Sequence, residues 1–221
     1  MARQNTNAAV VVIGLGRFGK ALALELERDG AEVLGIDSDA RRVNDLAGRV
    51  THVVQADSTD IEAMRQLSVQ DFDRAVIAIG NSLEGSVLTA FVLRNLGVTN
   101  IWAKAASAAQ RQILEQVGVG HVVRPEHDMG RRVAHLVRGK MLDYIEFDDG
   151  YAIVKTVPPK FLLGVPLGRS GVRNRYGVTI VGVKAAGDDF THATADTVVR
   201  EGDLVIVSGN RRKVEEFSSL D

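Results

Sequence analysis

The chain has 221 residues, 45% hydrophobic and 25% charged, a length and balance suited to one large globular domain or two unequal ones. Its net charge is −1 and its basic residues are dispersed, which leaves no electrostatic footprint for nucleic acid. The absence of cysteine removes thiol nucleophiles, disulfides and cysteine metal sites together.

The opening residues MARQNTN lack the apolar core of a signal peptide. No run approaches the roughly 18 apolar residues of a membrane span, so a cytoplasmic chain is expected. The β-branched run from Ala8 to Ile13 predicts a strand. Gly14, Gly16 and Gly19 follow in G-x-G-x-x-G spacing and open a helix over Arg17 to Arg28. In that pattern the first glycine makes the turn, the second lets a pyrophosphate approach bare backbone, and the third lets helix and strand pack closely. Asp37 ends the next strand, Glu32 to Ile36, near the spacing at which an acid receives ribose hydroxyls. It could instead cap the following helix, a task open also to Ser38 and Asp39. A carboxylate here repels a ribose 2′-phosphate and disfavours NADP.

The βαβ rhythm continues with helix Ala40 to Leu46, strand His52 to Gln55, helix Asp60 to Leu67, strand Arg74 to Ile79 and helix Leu83 to Leu96. Strand Asn100 to Lys104, helix Ala108 to Val117, strand His121 to Arg124 and a helix from Glu126 to Met141 complete it. Six parallel strands in an α/β, Rossmann-like doubly wound sheet are expected. The character changes at YIEFDDG, so residues 1–143 are assigned to the first domain and 144–221 to a smaller α+β module. That module reads as strand Tyr151 to Val157, a Gly-rich stretch Gly164 to Gly171, strands Val178 to Lys184 and Asp203 to Val207, and helix Arg211 to Phe217.

Small and polar residues recur at successive strand ends, where such a sheet opens its ligand crevice. They are Asp57, Ser58 and Thr59; Ala78, Ile79, Gly80 and Asn81; and Lys104. Each alone also reads as a cap, a turn or a strand-end charge. Arg17, beside Phe18 in the glycine loop, can fork onto phosphate oxygens, its bland alternative being an exposed first-turn residue. Glu126 and Asp128 could hold a hard cation against phosphates, or for Glu126 simply begin a helix. The five histidines, His52, His121, His127, His135 and His192, form no recognisable catalytic arrangement, so binding without turnover is expected. A small NAD-dependent oxidoreductase is the rival reading.

The segments VVVIGLGRFGKALALEL, EVLGID, ADST, VIAIG, NIWAKA and RPEHDMG, then VRNRYGVTIVGVK and REGDLVIVSG, resemble the cytosolic regulatory subunits of bacterial Ktr and Trk potassium-uptake systems. The resemblance implies a nucleotide-binding RCK N-terminal domain, a smaller RCK C-terminal subdomain, and no enzymatic activity. It implies ATP, ADP or NAD(H) as ligand and a homo-oligomer, dimers assembling into an octameric ring on a membrane potassium transporter. It assigns phosphate contacts to the Gly14 to Gly19 loop and to Lys104, the ribose to Asp37, and the adenine surroundings to Asp57, Ser58 and Thr59. Ala78 and Gly80 line the cleft, Arg17 reaches a neighbouring subunit's nucleotide, and Glu126 shares a divalent cation. It also suggests cyclic di-AMP as a second ligand, near Arg173 and Asn174.

Overall fold

The computed structural model describes residues 8–138, 140–147 and 149–221. The MARQNTN segment, residue 139 of the expected helix 126–141 and residue 148 of the YIEFDDG segment lie outside them. The chain divides into two compact units, 1–126 and 127–221.

In the first unit six strands run in the order β3-β2-β1-β4-β5-β6, and every pair is parallel. They are β1 (Ala9–Ile13), β2 (Glu32–Asp37), β3 (His52–Gln55), β4 (Arg74–Ile77), β5 (Ile101–Lys104) and β6 (His121–Val123). The connecting helices are α1 (Arg17–Arg28), α2 (Ala40–Leu46), α3 (Ile61–Gln66), α4 (Leu83–Asn95) and α5 (Ala108–Gln116). Helices cover both faces of the sheet, and β1 shows why its sequence is apolar throughout. Val11 and Ile13 join one buried cluster with Leu34, Ile77 and Ile101, whereas Val10 and Val12 join another with Ala23 and Leu46. A strand buried on both faces cannot alternate polar residues. Asp39, Asp60, Ser82 and Ser107 cap α2 to α5 through their side chains, whereas α1 starts at Gly16 with no side-chain cap.

The second unit is a five-stranded antiparallel sheet of order β10-β9-β11-β8-β7. Its strands are β7 (Met141–Glu146), β8 (Tyr151–Thr156), β9 (Val178–Lys184), β10 (Phe190–His192) and β11 (Leu204–Asn210), and its helices α6 (Pro125–Arg138), α7 (Val172–Tyr176) and α8 (Arg211–Ser218). In β8 Ala152, Val154 and Thr156 are buried while their alternates are not, the two-residue period of a sheet with one packed face. Phe217 of α8 fills that core, edge-on to Phe161 and Tyr176.

Three details depart from the sequence reading. The helix expected to reach Met141 ends at Arg138, because Met141 is instead the first ladder residue of β7, opposite Thr156, and is buried in the second core. Helix α7 and strand β10 have no counterpart in the expected elements: α7 is a single short turn between two left-handed glycines, Gly171 and Gly177, and β10 is a three-residue edge. The compact units divide after Glu126, earlier than the expected 143/144 boundary. Most of α6 bonds into the second unit: Arg131 to Glu146, Arg132 to Asp143, and His135 stacked on Tyr144 at 4.1 Å between centroids.

Candidate functional site

The C-terminal ends of the parallel strands, at the β1–β4 switch point of the sheet, open into a cleft of about 1120 Å³. Every site residue expected in the first unit lines it except Gly19: Gly14, Gly16, Arg17, Phe18, Asp37, Ser38, Asp57, Ser58, Thr59, Ala78, Ile79, Gly80, Lys104 and Glu126.

The three glycines do three different jobs. Gly14 has φ +93°, and a side chain there would press its Cβ to 3.0 Å from the backbone of Ala78 and Ile79. Its N–H donates to the Ile36 carbonyl at 2.8 Å, so the turn closes tightly onto β2. A Cβ on Gly19 would lie 1.8 Å from the Gly14 carbonyl oxygen, which explains why only glycine allows the helix to approach the turn this closely. A Cβ on Gly16 would meet nothing within 4 Å. With no capping side chain, the first N–H groups of α1 face this open volume, the arrangement in which a helix N-terminus receives an anion.

Asp37, at the end of β2, lies beside the glycine loop, 5% exposed. Its Oδ2 accepts from the Leu15 N–H at 2.6 Å and from Arg42 Nη1 at 3.1 Å, and its Oδ1 from the Asp39 N–H at 2.9 Å. The carboxylate therefore organises the glycine loop as well as facing the cleft. The helix-capping alternative falls to Asp39, whose Oδ1 accepts from the Arg41 N–H at 2.9 Å. At the end of β3, Asp57 forms a local turn with Thr59, whose hydroxyl and N–H donate at 2.7 and 2.9 Å and hold the Asp57 carboxyl below its usual range. Ser58 also lines the cleft, with its hydroxyl buried against Thr89 Oγ1 at 2.7 Å.

Across the cleft, Lys104 Nζ lies 2.5 Å from Glu126 Oε1 and 5.8 Å from the centroid of the Phe18 ring. A Cβ on Gly80 would come to 3.3 Å from the same ammonium, so the bare backbone after β4 leaves room for it. The Lys104 hydrogen bond is the main reason the Glu126 carboxyl is held below its ordinary value, with a smaller contribution from Arg17. Arg17 is exposed and makes no hydrogen bond or ion pair with a described residue. Among the described residues no three His, Cys, Asp or Glu side chains gather into a metal site. Glu126, already paired with Lys104, does not by itself fit a divalent cation.

Reasoning from sequence misses four charged lining residues, Lys20, Asp39, Arg42 and Asp45. Lys20 and Asp45 are ion-paired to each other. Positions 39, 42 and 45 recur at the three-residue spacing of one helix face directly after Asp37, and that periodicity is the available signal.

In the second unit, Arg173 and Asn174 line a separate cleft of about 360 Å³ with Gly171, Thr179 and Thr194. Both are exposed. Elsewhere in that unit Glu146 accepts from Arg131 at 2.6 Å, from the Tyr144 hydroxyl at 3.0 Å and from Arg211 at 3.4 Å. Burial opposes ionisation of Glu146, but these donors outweigh it and hold the carboxyl below the usual range.

The TrkA-N domain family model matches residues 10–125 and the TrkA-C domain model residues 151–220. The chain is 35% identical to Ktr system potassium uptake protein C of Bacillus subtilis (strain 168), over 93% of this chain and 94% of that protein. The chain belongs to the TrkA/Ktr family. Within that family it is also 34% identical to Ktr system potassium uptake protein A of Vibrio alginolyticus, over 92% of this chain and 93% of the relative. Among solved structures, the GsuK RCK domain aligns with a TM-score of 0.68 at 19% identity, covering 98% of this chain. This TrkA/Ktr chain spans about half of that solved chain, 49%. The TrkA-N domain of the inner membrane protein ybaL from Escherichia coli aligns with a TM-score of 0.53 at 21% identity, over 60% of this chain and 97% of that one. Likeness at such identities carries the fold: a Rossmann-like parallel sheet joined in sequence to an antiparallel C-terminal subdomain. No helix among the described residues is long and apolar enough to cross a membrane.

Proposed function

We propose that this TrkA/Ktr chain is a nucleotide-sensing, non-enzymatic regulatory subunit that gates a membrane potassium transporter from the cytoplasmic side, assembled as a homo-oligomeric ring. The observation that carries the nucleotide reading is the cleft itself, lined by a bare, uncapped helix start at Gly16 and by the Asp37 carboxylate beside the glycine loop. An adenosine phosphate needs an anion-receiving backbone and an acceptor for ribose hydroxyls, and the cleft offers both. The Ktr relatives support the transport context, and the GsuK channel, solved bound to NAD, and GsuK bound to ADP support an adenine nucleotide as ligand. A ligand shifts a two-state assembly only by its difference in affinity for the two states. The exposed Arg17, meeting a terminal phosphate across a subunit boundary, would supply that difference between ATP and ADP.

Titration calorimetry with ATP, ADP and NADH is the test, paired with potassium flux in vesicles containing the transporter. Asp37→Ala should weaken each nucleotide by about 1.5–3 kcal/mol, the usual strength of a hydrogen bond to a charged group. Arg17→Ala should narrow the ATP-over-ADP preference and blunt ATP-driven flux. Silence toward all three nucleotides would overturn the reading, and steady hydride transfer to a substrate would favour an oxidoreductase in its place.

A further inference from the structure

The hydrogen bonds of Asp37 leave too little room for a ribose. A carboxylate oxygen has two lone pairs, four for the group. Leu15 N–H and Arg42 Nη1 fill both on Oδ2, and the Asp39 N–H takes one on Oδ1, so one remains. A ribose diol that bonds both carboxylate oxygens needs two, hence one of the three donors must withdraw. The Leu15 and Asp39 donors are backbone groups fixed by the glycine loop and by the start of α2. Arg42 alone can leave: its side chain is 45% exposed, it lines the cleft, and its Nε lies 4.0 Å from a second carboxylate, Asp39 Oδ2.

We propose that Arg42 is a displaceable latch on Asp37, which the ribose hydroxyls expel toward Asp39 as a nucleotide binds. The inference rests on the nucleotide reading of the same cleft. The latch sets a threshold that selects a full ribose: an intact diol makes two hydrogen bonds to the carboxylate in exchange for one from the guanidinium, whereas an analogue without the displacing hydroxyl leaves Arg42 in place. It also makes Arg42 a specificity-determining residue whose removal tightens binding, the opposite of what a ligand-contacting arginine would do.

The test is titration calorimetry of the full chain with ATP, 2′-deoxy-ATP and 3′-deoxy-ATP, for the wild type, Arg42→Met and Arg42→Lys. Arg42→Met should bind ATP about fivefold more tightly, the competing hydrogen bond being gone. Its affinity for the deoxy analogue that lacks the displacing hydroxyl should stay at the wild-type value, so discrimination between the two widens. Arg42→Lys, with a single compact donor, should fall between the two proteins. Equal weakening of ATP and both deoxy analogues in Arg42→Met would overturn the latch and make Arg42 a ligand contact or a support for Asp37. Unchanged affinities throughout would overturn it as well. A wild type that binds no ATP would instead overturn the nucleotide reading beneath it, so the two failures are distinguishable.

Discussion

The two units place polar groups by opposite rules. In the parallel unit the sheet is apolar on both faces, and its polar groups collect beyond the strand ends, where Gly16, Asp37, Lys104 and Glu126 border one cleft. In the antiparallel unit charged groups reach into the scaffold: Glu146 on β7 binds Arg131 of α6 and Arg211 of α8. A sheet wrapped on both faces has only its ends to offer a ligand. A sheet packed on one face can use its polar residues to hold its own helices.

This contrast is open to direct attack, and the largest expected effect is on the parallel unit. Gly19→Ala forces a Cβ to 1.8 Å from the Gly14 carbonyl, a clash with backbone that cannot swing aside. The variant should lose about 3 kcal/mol of stability or more in denaturant unfolding. A loss under about 1 kcal/mol would mean that helix and turn can part cheaply, and that the third glycine is not a packing requirement. Gly16→Leu should separate folding from binding. Its Cβ enters open space and its φ of −65° suits any residue, so stability should be unchanged. Nucleotide affinity should nevertheless fall on the order of a hundredfold as the side chain bars phosphate from the helix start, a loss of about 3 kcal/mol. Loss of both properties together would erase the distinction between a structural and a ligand-facing glycine.

The smallest effect sharpens the other side of the comparison. Glu146 titrates below its unfolded value, so its contribution is complete above about pH 4.3 and is lost as pH falls through the folded value. Circular dichroism of the acid transition should therefore show stability declining over that range. Glu146→Gln should cost about 1 kcal/mol near neutral pH and flatten the acid limb. An unaltered limb would show that these ion pairs do not hold α6 and α8 to the sheet.

Much of this is legible in the residues. The β-branched runs, the glycine spacing and Asp37 specify the parallel sheet and its cleft, because each is a local pattern with one dominant physical reading. Helix α1 begins and ends where its sequence predicts, at Arg17 and Arg28. What escapes such a reading depends on partners distant in sequence. Ser58 looks like a strand-end polar residue until Thr89, 31 positions later, takes its hydroxyl. Lys104 and Glu126 are 22 apart, and nothing between them announces their pairing. The close of α6 is ambiguous in the sequence because Met141 suits an amphipathic helix and a strand equally, and its ladder partner Thr156 decides between them. Arg42 hides for a different reason: an arginine on a surface helix usually faces solvent, and only the cleft beside α2 gives it another role.

The Ser58–Thr89 hydroxyl pair has a consequence for motion. Ser58 follows β3 on one side of the switch point, and Thr89 sits in α4 on the other, so the pair is a rivet across the two halves of the sheet. Any hinge that spread those halves would strip a buried hydroxyl of its partner, at about 1–3 kcal/mol. Ligand exchange should therefore proceed through side chains shifting at a fixed mouth, not through a clam-like opening of the fold. Replacing Ser58 by Ala alone would orphan Thr89, whereas the paired change Ser58→Ala with Thr89→Val would remove the rivet with little loss of stability and leave the two halves free to breathe.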